Sequence, residues 1–104
     1  MDVQMKRGIL EGLVLATLKR ADAYGYELTE QITALLDIAE MTLYPILRRL
    51  EVQGCLTTYS LEYSGRLRKY YRITTSGIQR LDEISNELRE LRKLINGILG
   101  EESK

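Results

Sequence analysis

The chain has 104 residues, 44% of them hydrophobic and 29% charged, with 15 Lys and Arg balanced by 15 Asp and Glu. That composition suits one small globular domain with one core and excludes a disordered chain. Zero histidines and a single cysteine, Cys55, exclude an intramolecular disulfide, a structural zinc site and a Cys–His nucleophile.

Neither GxGxxG nor GxxxxGK[ST] occurs, so the two commonest phosphate cradles are missing. Acidic neighbours such as Asp82 and Glu83 sit at polar positions of a strongly helical stretch and read as a solvated face. The chain is expected not to be an enzyme, and to use no cofactor or metal. No apolar run approaches the ~20 residues that span a bilayer, and the amino terminus lacks a small-residue cleavage site. With its one thiol, the protein is expected in a reducing cytoplasm.

The first helix is predicted from Ile9, Leu10, Leu13, Val14 and Leu18, which fall at helical spacing. RADAYG breaks it, and Asp22 is placed to cap the second helix. That helix carries Leu28, Ile32, Leu35 and Leu36 on one side. A third helix runs through LYPILRRLEVQG, with Leu43, Ile46, Leu47 and Leu50 inward and Gly54 closing it. Pro45 leaves two starts open. Thr42 caps a short helix with proline in its first turn, or the helix begins near Glu40 and Pro45 lies inside it.

After Gly54 the period changes. CLTTYSLEY and RLRKYYRIT alternate as strands, with Ser64-Gly65 as the turn of a hairpin. The tip, near Ser64 to Leu67, holds Arg66 and Arg68 toward solvent. Thr74-Thr75-Ser76 offers caps for a final helix. There Leu81, Ile84, Leu88, Leu91, Ile95 and Ile98 recur at alternating three- and four-residue steps, as in a coiled coil. A narrow stripe of that length outruns a small domain and asks for a second chain, so a homodimer is expected.

Three helices followed by a hairpin is the order of a winged helix-turn-helix, whose third helix enters the DNA major groove while the wing reaches the flanking backbone. The fold class expected is mainly α (α+β). Residues 1–75 form the DNA-binding part and residues 76–104 the dimerisation helix and tail, within one compact unit. Thr42, Tyr44, Arg48 and Arg49 lie off the apolar stripe of the third helix. From Tyr63 through Leu81 there is no acidic residue, whereas Asp82, Glu83, Glu87, Glu90, Glu101 and Glu102 follow it. A neutral total therefore hides a basic face, and it is the distribution that bears on nucleic acid. The runner-up reading is a protein-interaction module on the same scaffold, with the basic hairpin docking an acidic partner and the last helix exchanging partners.

TLYPILRRLEVQGCL (Thr42–Leu56) and GRLRKYYRITTSG (Gly65–Gly77) resemble the two signature segments of the PadR family of bacterial transcriptional regulators. YGYEL (Tyr24–Leu28) resembles a third, and the similarity spans essentially the whole chain, in the small form with one carboxy-terminal helix. The resemblance implies a homodimeric repressor on a two-fold symmetric double-stranded DNA operator. Thr42, Tyr44, Pro45 and Arg48 would then face the major groove or its phosphates. Tyr24 and Tyr26 would support the start of the second helix, with one hydroxyl near a DNA phosphate, and Arg66, Arg68 and Lys69 would form the wing contact. Tyr70 and Tyr71 alternate faces, one for the core and one, taken as Tyr70, for the DNA side.

The dimer interface would use Ile9, Leu13, Leu81, Ile84, Leu88, Leu91, Ile95 and Ile98. A small apolar effector would meet Ile84, Leu88 and Leu91, without the tryptophan that some relatives stack on it. Ala39 and Met41 stand where relatives carry a cap and a glycine, which leaves Asp37 to cap the third helix or its first turn to fray.

Overall fold

The computed structural model describes residues 3–101, with side chains from residue 5; the first two residues and residues 102–104, including Glu102, lie outside the described part. Four helices and a small sheet follow in the order α1 (Val3–Arg20), β1 (Ala23–Tyr24), α2 (Gly25–Leu35), α3 (Glu40–Val52), β2 (Leu56–Tyr63), β3 (Arg66–Ile73) and α4 (Thr75–Leu99). The α+β winged-helix architecture is the expected one.

Helix α1 is the central post, packed against α2, α3, α4 and β3. Its Leu10, Val14, Leu15 and Leu18 are fully buried, together with Leu28 and Ile32 of α2 and Leu43, Leu47 and Leu50 of α3. A helix in contact on several sides needs apolar residues around much of its circumference, as the run GILEGLVLATL provides. At Gly12 the absent side chain lets α4 come close: a Cβ there would lie 3.1 Å from Ile84.

The three-stranded antiparallel sheet has the order β1-β3-β2. Strand β1 was not foreseen, because two residues carry no periodicity; Ala23 pairs with Tyr71 and Tyr24 with Tyr70. In the hairpin, Leu56 pairs with Ile73 at the base and Tyr63 with Arg66 at the tip. The two-residue turn has Ser64 at φ 52° and Gly65 at φ 79°. Positive φ at both positions matches the twist of the flanking strands.

Two cap expectations need correction. Asp22 does not cap α2: Tyr24 is its N-cap and no side chain bonds there. Asp22 instead accepts hydrogen bonds from Tyr59 Oη at 2.6 Å and Arg72 Nε at 3.0 Å. Of the two starts for α3, the earlier is realised, with Pro45 inside the helix and Ala39 as N-cap, again without a side-chain bond. Neither Thr42 nor Asp37 caps it. Met41 and Pro45 both face solvent, so water can take the carbonyl that proline leaves unpaired.

The end of α3 is closed by backbone. Gly54 adopts φ 78°, its amide donates to the Glu51 carbonyl and that of Cys55 donates to Leu50 at 2.8 Å, the Schellman arrangement. Thr74 then ties three elements together. Its hydroxyl donates to the Gly54 carbonyl at 2.6 Å and accepts from the Gly77 amide at 3.1 Å, capping α4. Gly77 has no room for a side chain, since a Cβ would run into the Cys55 carbonyl oxygen.

Helix α4 covers 25 residues, about 37 Å at 1.5 Å per residue, in a molecule 56 Å along its longest axis. Its first half closes the core through Leu81 and Ile84, while Leu88, Leu94, Ile95, Ile98 and Leu99 stand exposed. Among the described residues no helix is long and apolar enough to cross a membrane.

Candidate nucleic-acid interface

Helix α3, of 13 residues, lies between α1 and the wing, and two exposed rows of its surface face different neighbours. Tyr44, Arg48 and Val52, spaced by four, line a cleft of about 600 Å³ whose opposite wall is Lys69 and Tyr71 of β3. Thr42, Pro45 and Arg49 line a second hollow of about 270 Å³, whose other wall is Lys6 and Arg7 of α1. Both follow from helical geometry, since residues three or four apart share a face. Lys6 and Arg7 were missed in the sequence. The KR pair at the head of α1 was the available signal, but nothing local says that this turn lies beside α3.

The wing distributes its charges by strand alternation. Leu67, Lys69, Tyr71 and Ile73 point to the helical side, where Tyr71 is buried. Arg66, Arg68, Tyr70 and Arg72 point to the other. The predicted DNA-binding residues therefore fall on two faces of the sheet. Tyr44, Arg48 and Lys69 meet in the cleft, and Thr42 and Pro45 lie around the helix from them. Tyr24, Tyr26, Arg68 and Tyr70 gather on the far face, and Arg66 stands at the tip.

That far face is a tyrosine ladder. Tyr59 stacks on Tyr70 at 5.4 Å between ring centroids, Tyr70 meets Tyr24 at 5.8 Å, and Tyr24 meets Tyr26 at 6.4 Å. Arg68 lies over the rings of Tyr24 at 4.5 Å and Tyr63 at 4.1 Å, and Arg72 over Tyr59 at 4.8 Å. Such contacts favour arginine, whose planar, weakly hydrated guanidinium stacks on aromatic faces. Tyr59 and Tyr63 were also missed, although their spacing of four along one strand puts them on a single face.

The cations differ in what already holds them. Arg72 pairs with Asp22 at 3.0 Å and Lys69 with Glu51 at 3.8 Å. Arg49 and Arg80 converge on Glu11, a buried carboxylate of α1, at 3.9 and 3.2 Å. Burying a carboxylate is costly unless cations accompany it, so those two arginines are structural. Arg48, Arg66 and Arg68 have no acidic partner within 4 Å among the described residues. With Lys6 and Arg7 beside α3, which also lack an acidic partner among the described residues, they are charges available to a polyanion. Donation to Asp22 holds the Tyr59 hydroxyl above the usual tyrosine range, and burial does the same for the Cys55 thiol.

The predicted dimer residues also divide. Leu81 and Ile84 are buried by the chain's own α1, Ile9, Leu13 and Leu91 are half-buried, and Leu88, Ile95 and Ile98 are exposed. Between α1 and α4 a hollow of about 190 Å³ is lined by Gly8, Ile9, Ile84, Glu87, Leu88 and Leu91, which include the three residues expected to meet an apolar effector.

Residues 14–83 match the model of the transcriptional regulator PadR-like family. A transcriptional regulator of Mycobacterium tuberculosis is 34% identical over 77 residues, covering 73% of this chain and 72% of that protein. Among solved structures, a protein of Streptococcus mutans superposes with a TM-score of 0.85 at 39% identity, covering 94% of this chain and 92% of that one. A PadR-like transcriptional regulator from Bacillus cereus superposes with a TM-score of 0.82 at 30% identity, covering 95% and 99%.

Proposed function

The chain belongs to the PadR-like family of transcriptional regulators, hence of DNA-binding proteins, and we propose that it acts as a homodimeric repressor. The observation that carries this reading is the set of unpaired cations. Arg48 on α3, with Arg66 and Arg68 on the wing, remains uncompensated in a chain of zero net charge. In this reading α3 enters the major groove with Tyr44 and Arg48 leading, Thr42 and Pro45 following the groove wall, and the wing tip holding flanking phosphates. Lys69 exchanges Glu51 for a phosphate at little cost, because an exposed ion pair of this kind contributes only about 0–1 kcal/mol.

The apolar row on the outer half of α4 supports dimerisation. Five large aliphatic side chains stand exposed beyond the chain's own core, and a second copy of α4 would remove them from water. Two chains joined this way present two α3 helices to half-sites about 34–36 Å apart. A small apolar molecule in the hollow between α1 and α4 would spread that interface and release DNA by favouring another dimer geometry. Ile95→Glu tests the interface: the variant should stay folded yet lose the dimer in light scattering. A folded dimer of that variant would remove the outer half of α4 from the interface.

The function itself is tested by titrating the protein into DNA from its own promoter region and into scrambled DNA, at two salt concentrations. Tighter binding to the promoter, weakening steeply with salt, is expected. Equal affinity for both sequences would contradict a sequence-specific regulator.

A further inference from the structure

We infer that Tyr63 is a positioning residue for DNA binding, which acts by holding Arg68 between its own ring and that of Tyr24. The inference rests on the DNA-binding reading above and adds to it a residue outside the family-like segments of the sequence. The guanidinium carbon of Arg68 lies 4.1 Å from the Tyr63 ring centroid and 4.5 Å from that of Tyr24. Arg68 is half-buried in this stack, while Tyr63 is 58% exposed and contributes nothing to the core.

A free arginine on a strand must give up rotamer freedom when it grips a ligand. Here two rings already restrict the side chain. The guanidinium carbon lies over both rings, and its N–H groups have no carboxylate among the described residues. What such a group recognises is an anion with oxygens to meet the guanidinium fork, in this setting a DNA phosphodiester. The other wing cations lack this combination: Arg72 is engaged by Asp22, Lys69 by Glu51, and Arg66 is exposed at the tip. The register explains the placement. Tyr63 faces Arg66 across the hairpin, Leu61 faces Arg68 and Tyr24 faces Tyr70, so Arg68 sits diagonally between two tyrosines from the strands on either side.

The test compares Tyr63→Leu, Tyr63→Phe, Arg68→Ala and the Tyr63→Leu/Arg68→Ala double variant in the full chain, on promoter and scrambled DNA. Tyr63→Leu should weaken binding to both DNAs about three- to tenfold with unchanged thermal stability, and Tyr63→Phe, which keeps the ring, should bind like the parent. In the Arg68→Ala background Tyr63→Leu should add nothing. In the free protein, NMR should show the Arg68 side-chain protons displaced by ring currents, and Tyr63→Leu should move them toward ordinary positions. Parent-like affinity of Tyr63→Leu alongside a weakened Arg68→Ala would overturn the positioning role while leaving DNA binding intact. So would an undiminished Tyr63→Leu effect without Arg68, or a Tyr63→Phe as weak as Tyr63→Leu. A parent protein that binds neither DNA would defeat the functional reading itself.

Discussion

The two ends of the hairpin are built from similar residues and finish in opposite states. At the base, Arg72 is locked to Asp22, Thr74 joins the end of α3 to the start of α4, and Gly77 lies against the Cys55 carbonyl. At the tip, Arg66 and Arg68 have no acidic partner among the described residues, and a side chain at Gly65 of the turn would meet open space. An arginine is therefore structural or available according to what the fold brings near it. The closed end fixes the angle at which the wing leaves the domain, so that the open end can present charge at a constant place.

This contrast can be broken from either side. The largest effect is expected at the base. Gly77→Ala places a methyl against backbone that cannot yield and should destabilise by about 3 kcal/mol or more, read by chemical denaturation. Thr74→Ala removes the α4 cap and the tie to Gly54, with an expected loss of about 1 kcal/mol in the same measurement. Arg66→Ala at the tip should leave stability within about 0.5 kcal/mol while weakening binding to every DNA sequence alike.

The smallest effect separates the ends by pH. The Tyr59 hydroxyl is held above its ordinary value of 10.0 by donating to Asp22. The folded state thus binds that proton more tightly than the unfolded chain. Its contribution is fully present below the ordinary tyrosine value and is lost as pH rises through the folded one. Amide exchange at the base should quicken slightly in that alkaline range, whereas exchange at Arg66 and Arg68 should show no such step.

Most of this architecture could be read from local pattern. The apolar spacing in α1 to α4, the alternation of β2 and β3, and the Ser64-Gly65 turn each carry their own signal, because helix and strand periods differ. What escaped is what distance in the chain conceals. Asp22 looked like a cap because aspartate before a helix usually is one, yet Tyr59 and Arg72 lie 37 and 50 residues away and outcompete the local bond. β1 is visible only once β3 is beside it. Pro45 left the start of α3 open, and the earlier start is the one realised, with the carbonyl that proline leaves unpaired at the exposed Met41. The candidate site was legible in the same measure. Tyr44, Arg48, Arg66 and Arg68 could be picked by type and position, whereas the pairing of Tyr63 with Arg68 needs the register.

The most direct test of the contrast is the salt dependence of promoter binding for Arg68→Ala beside Arg72→Ala. Removing one cation from a phosphate should lower the slope of log affinity against log salt by about one, hence by about two for a dimer. Arg68→Ala is expected to show that fall, and Arg72→Ala to keep the parent slope. Equal slopes in both variants would contradict the division between a closed base and an open tip.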